Sequence, residues 1–76
     1  MKISNEQILA LLREETDMPE ILPTMHLADD IGITSFQMLS FVTRLNAACG
    51  ISVSISEVLA WKRVEDIIKT VEELTK

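Results

Sequence analysis

Apolar residues recur at helical spacing in three stretches of this chain. Ile8, Leu11 and Leu12 form the first stripe, with Glu6, Arg13 and Glu14 off it. Ser4-Asn5-Glu6-Gln7 opens that helix as a capping box, in which a hydroxyl and a side-chain amide each satisfy a free backbone N–H. The helix should stop near Thr16, because Met18 precedes Pro19 and is biased away from helical angles. A second helix is predicted from about Ser35 to Cys49, stopped by Gly50 as a left-handed cap onto which Ile51 can fold back. Its Met38, Phe41, Val42, Leu45 and Cys49 make a core face, while Phe36 and Leu39 make a second apolar face beside Gln37, Ser40 and Thr43. The last helix, about Val64 to Leu74, has the clearest stripe, in Val64, Ile67, Ile68, Val71 and Leu74.

The stretches between are read by their breakers. Asp17 to Thr34 contains Pro19 and Pro23, yet Ile21, Leu22, Met25, Leu27, Ile31 and Ile33 are too apolar for a loose linker. It reads as one long ordered loop pinned across the helices, and loops of that length in compact domains are often functional. Ile51 to Ile55 alternates like a strand but has no partner, so an extended link is expected, followed by a short third helix from Ser56 to Ala60. The expected fold is all-α: a four-helix bundle with three main helices, one short third helix and a long ordered first loop. Residues 1–76 form one domain, since a chain this short has no room for a second core.

Composition narrows the function. A net charge of −5 repels nucleic acid and suits protein partners that present Lys and Arg. Neither helix two nor the last helix offers a basic recognition face. Cys49 is the only cysteine, so no internal disulfide or multi-cysteine metal site is expected. No run approaches membrane-spanning length and the start lacks an apolar signal core, which points to a cytoplasmic protein without membrane insertion.

The candidate chemistry centres on Asp29-Asp30-Ile31-Gly32-Ile33-Thr34-Ser35-Phe36, which puts one serine hydroxyl at the start of helix two after a glycine turn. Such a serine can be a helix cap. The cap is the favoured reading of this feature alone, although the same helix end would also favour a phosphate ester on the hydroxyl. Nucleophilic catalysis by Ser35 lacks support: the only histidine is His26, and no Gly-x-Ser-x-Gly elbow is present. His26 reads as a loop residue with local hydrogen bonds, and Asp29 and Asp30 as a solvated acidic turn rather than a metal site. Trp61 and Cys49 read as packing residues, with flanking of a bound acyl chain as the alternative for Trp61. Met25 and Met38 read as core filling that could also line an adaptable surface, and Lys62 and Arg63 as charges on the turn before the last helix that could touch a partner.

Leu27-Ala28-Asp29-Asp30-Ile31-Gly32-Ile33-Thr34-Ser35-Phe36 resembles the attachment-site motif of acyl and peptidyl carrier proteins, where a hydrophobic-Gly-x-Asp-Ser-hydrophobic pattern opens the second helix of a four-helix bundle. Length, long first loop, Gly50, short third helix and amphipathic last helix all correspond. The resemblance implies that Ser35 receives 4'-phosphopantetheine from coenzyme A through a phosphopantetheinyl transferase. It implies a free-standing monomeric carrier, itself no enzyme, that holds acyl groups as thioesters. A loading ligase or transferase would charge it, for synthase enzymes of fatty-acid, polyketide or related biosynthesis. An aminoacyl (D-alanyl or peptidyl) cargo and a small helical adaptor without prosthetic group are the alternatives. Two positions depart from the family pattern. Thr34 stands where Asp usually precedes the serine, and helix two exposes Gln37, Ser40, Arg44 and Asn46 rather than acids. Docking of the transferase and other partners is therefore expected through Thr34, Phe36, Gln37 and Leu39.

Overall fold

A computed structural model describes residues 4–75. Helix α1 spans Asn5–Thr16, α2 Ser35–Cys49, α3 Ile55–Ala60 and α4 Val64–Leu74, and a π-helical turn, Leu27–Ile31, interrupts the long loop. The fold is the all-α bundle expected, with that turn as an addition.

Each long helix is closed by groups the sequence supplies. Ser4 and Gln7 form the α1 capping box, at 3.2 Å for Gln7 N–H to Ser4 Oγ and 2.8 Å for Ser4 N–H to Gln7 Oε1. At the other end the chain leaves α1 through Asp17 in the left-handed region (φ 57°), ahead of Pro19. Helix α2 ends at Gly50, whose φ of 67° is open to glycine without strain. The N–H groups of Gly50 and Ile51 converge on the Asn46 carbonyl at 2.8 and 3.2 Å, so the chain turns back over the helix end.

The core lies between α1, α2 and α4. Ile8 and Leu12 meet Phe41, Val42, Leu45 and Cys49 of α2 and Val64, Ile67, Ile68 and Val71 of α4, with Ile21, Leu27 and Trp61 closing the ends. Three residues assigned to apolar stripes lie outside this buried set. Leu11, half-buried, and Leu74, exposed, sit at the border of their helix faces, whereas Met38, in the middle of its face, is half-buried because it lines a cavity that opens beside the start of α2. Helix α3 has no fully buried residue and packs through Val58. It starts one residue earlier than the alternating pattern suggests. Ser54 caps it, accepting from Glu57 N–H at 3.2 Å, so Ile55 is helical rather than extended.

The long loop is ordered because it caps α4. Helix starts leave backbone N–H groups unpaired. Here Val64 and Glu65 donate theirs to the carbonyls of Met25 and Pro23 at 3.1 and 2.9 Å. Arg63 ties down the same segment through its guanidinium, which donates to the Thr24 carbonyl at 2.7 Å. Trp61, 8% exposed, donates its indole N–H to Thr70 Oγ1 at 2.9 Å, which fixes the link between α3 and α4.

Asp66 completes this junction, accepting from the N–H groups of Arg63 and Lys62 at 3.0 and 2.9 Å. These bonds favour its charged form and hold its carboxyl below the ordinary 3.8. Hydrogen bonds from Ser54 do the same for Glu57 against the ordinary 4.5. Because both folded pKa values are depressed, the stability these groups contribute is present above the unfolded values and lost as pH falls through the folded ones. Asp66→Asn should therefore flatten the drop in melting temperature below about pH 4, measured by thermal melts from pH 7 to 2.

Candidate functional site

The π-helical turn delivers Ser35. The N–H groups of Asp30 and Ile31 both reach the His26 carbonyl, at 3.0 and 3.1 Å, and the Asp30 carboxylate accepts the His26 N–H at 2.8 Å. Gly32 ends the turn with φ 69°. A Cβ there would meet nothing nearer than the Ala28 carbonyl at 3.9 Å, so the position calls for glycine through its backbone angle and not through close approach. Ile33 N–H then returns to the Leu27 carbonyl at 3.1 Å, and the chain enters α2.

Thr34, not Ser35, caps that helix. Its Oγ1 accepts Gln37 N–H at 3.1 Å, while Gln37 Oε1 accepts Thr34 N–H at 2.9 Å. Ser35 is the first helical residue, exposed, and its hydroxyl has no hydrogen-bond partner among the described residues. The structural job that a serine at this place could have held is thus done by its neighbour. What remains at Ser35 is an unengaged oxygen at the positive end of a 15-residue helix.

Beside Ser35 lies a groove of about 630 Å³ between α2, the π-helical turn and α3. Met38, Leu39 and Val42 form one wall, Ile55, Val58 and Leu59 the other, and Trp61 and Leu27 part of the floor. Its lips are strongly apolar and exposed: Leu39 is 65% exposed, Ile55 73% and Leu59 80%. Phe36, 79% exposed, stands one turn before Leu39 and next to Ser35. A single exposed leucine needs no explanation, but four large apolar side chains around one groove do.

Helix α2 contains no acid, and its one cation is neutralised from within. Arg44 reaches Glu14 and Glu15 of α1 at 3.1 and 3.4 Å, hydrogen bonds that raise its pKa further. Glu15 also accepts from Ser40 Oγ at 2.9 Å, and Gln37 Nε2 donates to the Glu15 carbonyl at 3.3 Å. Gln37, Ser40 and Arg44 of α2 therefore face α1, while Thr43 and Asn46 line the groove.

Of the residues singled out in the sequence, Thr34, Ser35 and Leu39 line the groove and Phe36 adjoins it. Gln37 is turned toward α1, its amide engaged at both ends by internal bonds. His26 lines the groove with Nδ1 at 3.7 Å from Asp29. The second lip, Ile55 and Leu59, was not singled out as part of a site, and Lys62, read as a turn charge that could touch a partner, also lines the groove. The signal for the lip was present, because Ser54-x-x-Glu57 is a capping box that sets Ile55 and Leu59 four residues apart on one helical face.

These features fit a phosphopantetheine ester. The hydroxyl is accessible and unbonded, the helix end favours an anion, and no Asp or Glu lines the groove. Among the described residues no cluster of His, Cys, Asp and Glu could hold a metal ion, and no helix is long and apolar enough to cross a membrane.

The family model described as a phosphopantetheine attachment site matches residues 6–71. No curated protein matches the chain. Solved structures do, among them one from Mycobacterium tuberculosis described as an acyl carrier protein. It is 24% identical, with a TM-score of 0.86, over 91% of this chain and 95% of that one. At that identity the likeness speaks for the fold.

Proposed function

This chain belongs to the family of phosphopantetheine-attachment carrier domains, and from that premise we propose that Ser35 is its attachment residue and that the cargo is an acyl group. The family's covalent group is 4'-phosphopantetheine, and such carriers work with phosphopantetheinyl transferases and biosynthetic enzymes without being catalysts themselves. The group supplies, when bound, a terminal thiol that holds cargo as a thioester. The observation that carries the assignment to Ser35 is its exposed, unbonded hydroxyl beside a cap made by Thr34.

This chain's residues then have separate tasks. Thr34 holds the end of α2 in place. Ser35 offers the accepting oxygen. The apolar walls give an acyl chain a surface to lie against, which favours acyl cargo over a charged aminoacyl group. Tethering raises the local concentration of the cargo at each partner enzyme. The carrier domain comprises residues 1–76, and its partners include a transferase, a loading ligase or transferase, and synthase enzymes.

Partner docking follows the exposed apolar residues and the missing charge of α2. Phe36 and Leu39 are the main contacts, with Thr34 at the edge, and Gln37 contributes mainly by holding Thr34 in place. A dedicated pathway partner with an apolar, weakly charged face matches this surface better than one with a basic patch. Phe36→Ala should weaken binding to a cognate synthase enzyme about tenfold or more, with little salt dependence in the parent, measured by titration calorimetry.

Intact mass after incubation with coenzyme A, magnesium and a broad-specificity transferase tests the function. A gain of one phosphopantetheinyl group is expected. No gain on folded, previously unmodified protein with several transferases would point to an adaptor in which the apolar groove alone carries binding.

A further inference from the structure

The groove is electrostatically unlike the rest of the chain. Asp and Glu outnumber Lys and Arg by 12 to 7, yet among the described residues neither acid lines the groove, and Lys62 supplies its fixed charge. His26 is the other titratable group there. Asp29, at 3.7 Å from His26 Nδ1, and Asp66, which accepts the Lys62 N–H, approach lining residues from outside the groove.

Lys62 is held in place by its backbone rather than its ammonium. Its N–H donates to Asp66 at 2.9 Å, and its carbonyl accepts the Leu27 N–H at 2.9 Å. The Leu27 carbonyl in turn accepts the Ile33 N–H at 3.1 Å, two residues before Ser35. Two backbone hydrogen bonds therefore register Lys62 against the segment that delivers the serine. Its Nζ has no hydrogen-bond or ion-pair partner among the described residues; Arg13, Arg44 and Arg63 have one, and Lys69, which has none either, does not line the groove. A basic group left without an internal partner on an acidic protein is available to an external anion.

We propose that Lys62 is a positioning residue for the prosthetic arm: its ammonium pairs with the phosphodiester at Ser35 and holds the first part of the arm along the groove, beside Trp61. This rests on Ser35 as the attachment residue. The diester carries one negative charge at neutral pH. The α2 N-terminus and Lys62 attract it from the helix and from the α3–α4 link, which selects a direction for the arm that the helix end alone does not. In the unacylated arm the diester is the only anion, so the effect is independent of cargo.

Trp61, the only tryptophan, lines the same groove and is the reporter. Parent, Lys62→Gln and Lys62→Arg are each loaded with the unacylated arm. Loading is verified by intact mass, so failure to load, which would count against Ser35, is seen separately. Trp61 emission is then compared between unloaded and loaded forms at low salt and at about 1 M salt, where the screening length is roughly 3 Å. The parent should change emission on loading at low salt and lose at least half of that change at high salt. Lys62→Gln should show at most half the parent's low-salt change and no salt dependence, and Lys62→Arg should restore it. Unloaded melting temperatures should agree among the three, since the replaced group makes no internal bond. Equal responses in parent and Lys62→Gln, including no response in either, would overturn the proposal.

Discussion

Ser35→Ala should fold as the parent does and accept no phosphopantetheine at all. The two halves of that result have separate physical causes. Ser35 makes no side-chain hydrogen bond among the described residues and is exposed, so removing its oxygen leaves no buried group unsatisfied. Surface changes of this kind stay within about 0.5 kcal/mol. Loading disappears because the chain offers the transferase no replacement oxygen in the same place: Thr34 Oγ1 accepts the Gln37 N–H at 3.1 Å. Thr34→Ala should behave in reverse. It loses a cap worth about 1 kcal/mol, a fall of roughly 4–8 °C in melting temperature for a domain of this size, while the Ser35 hydroxyl stays available. Thermal melts and intact mass on the two variants separate capping from attachment at adjacent positions.

Phe41→Ala should remove much of the stability of the fold. Phe41 is fully buried, at 0% exposure, in the cluster shared by α1, α2 and α4. Truncating a buried phenylalanine costs about 3–5 kcal/mol through lost burial and the cavity left behind. A chain of 76 residues has roughly 4–11 kcal/mol in total at the usual stability per residue. Urea unfolding should show a midpoint far below that of the parent, or a protein already partly unfolded in buffer. Phe36→Ala is the internal contrast. At 79% exposure Phe36 contributes little to the core, so its loss should leave the urea midpoint almost unchanged while weakening docking. The two phenylalanines lie five positions apart on one helix, one buried in the core and the other exposed next to Ser35.

The long helices were legible because burial imposes periodicity on them. Val64, Ile67, Ile68 and Val71 are spaced as the core requires, and all four are buried. Capping chemistry was legible for α1, where Ser4 and Gln7 act as their spacing predicts. At α2 the same rule had a competing candidate one residue away. Thr34-x-x-Gln37 satisfies the box and Ser35 does not, so the spacing to Gln37 identifies the cap once both hydroxyls are compared. The π-helical turn left no such trace. It is five residues long, and its bonds to the His26 carbonyl follow from how Gly32 and the anchored loop fix both ends. Nor could spacing reveal that Arg44 and Gln37 face Glu14 and Glu15. Pairing across two helices depends on their packing angle, which no local pattern encodes. That pairing explains why the outward side of α2 is apolar around Ser35 and nearly free of net charge.

The most direct measurement is to map the modified residue by fragmentation mass spectrometry of the loaded parent protein. A single phosphopantetheinyl group on Ser35, with Thr34 and Ser40 unmodified, is the result predicted by the unbonded hydroxyl at the start of α2. A group on any other residue, or a loaded Ser35→Ala protein, would contradict it.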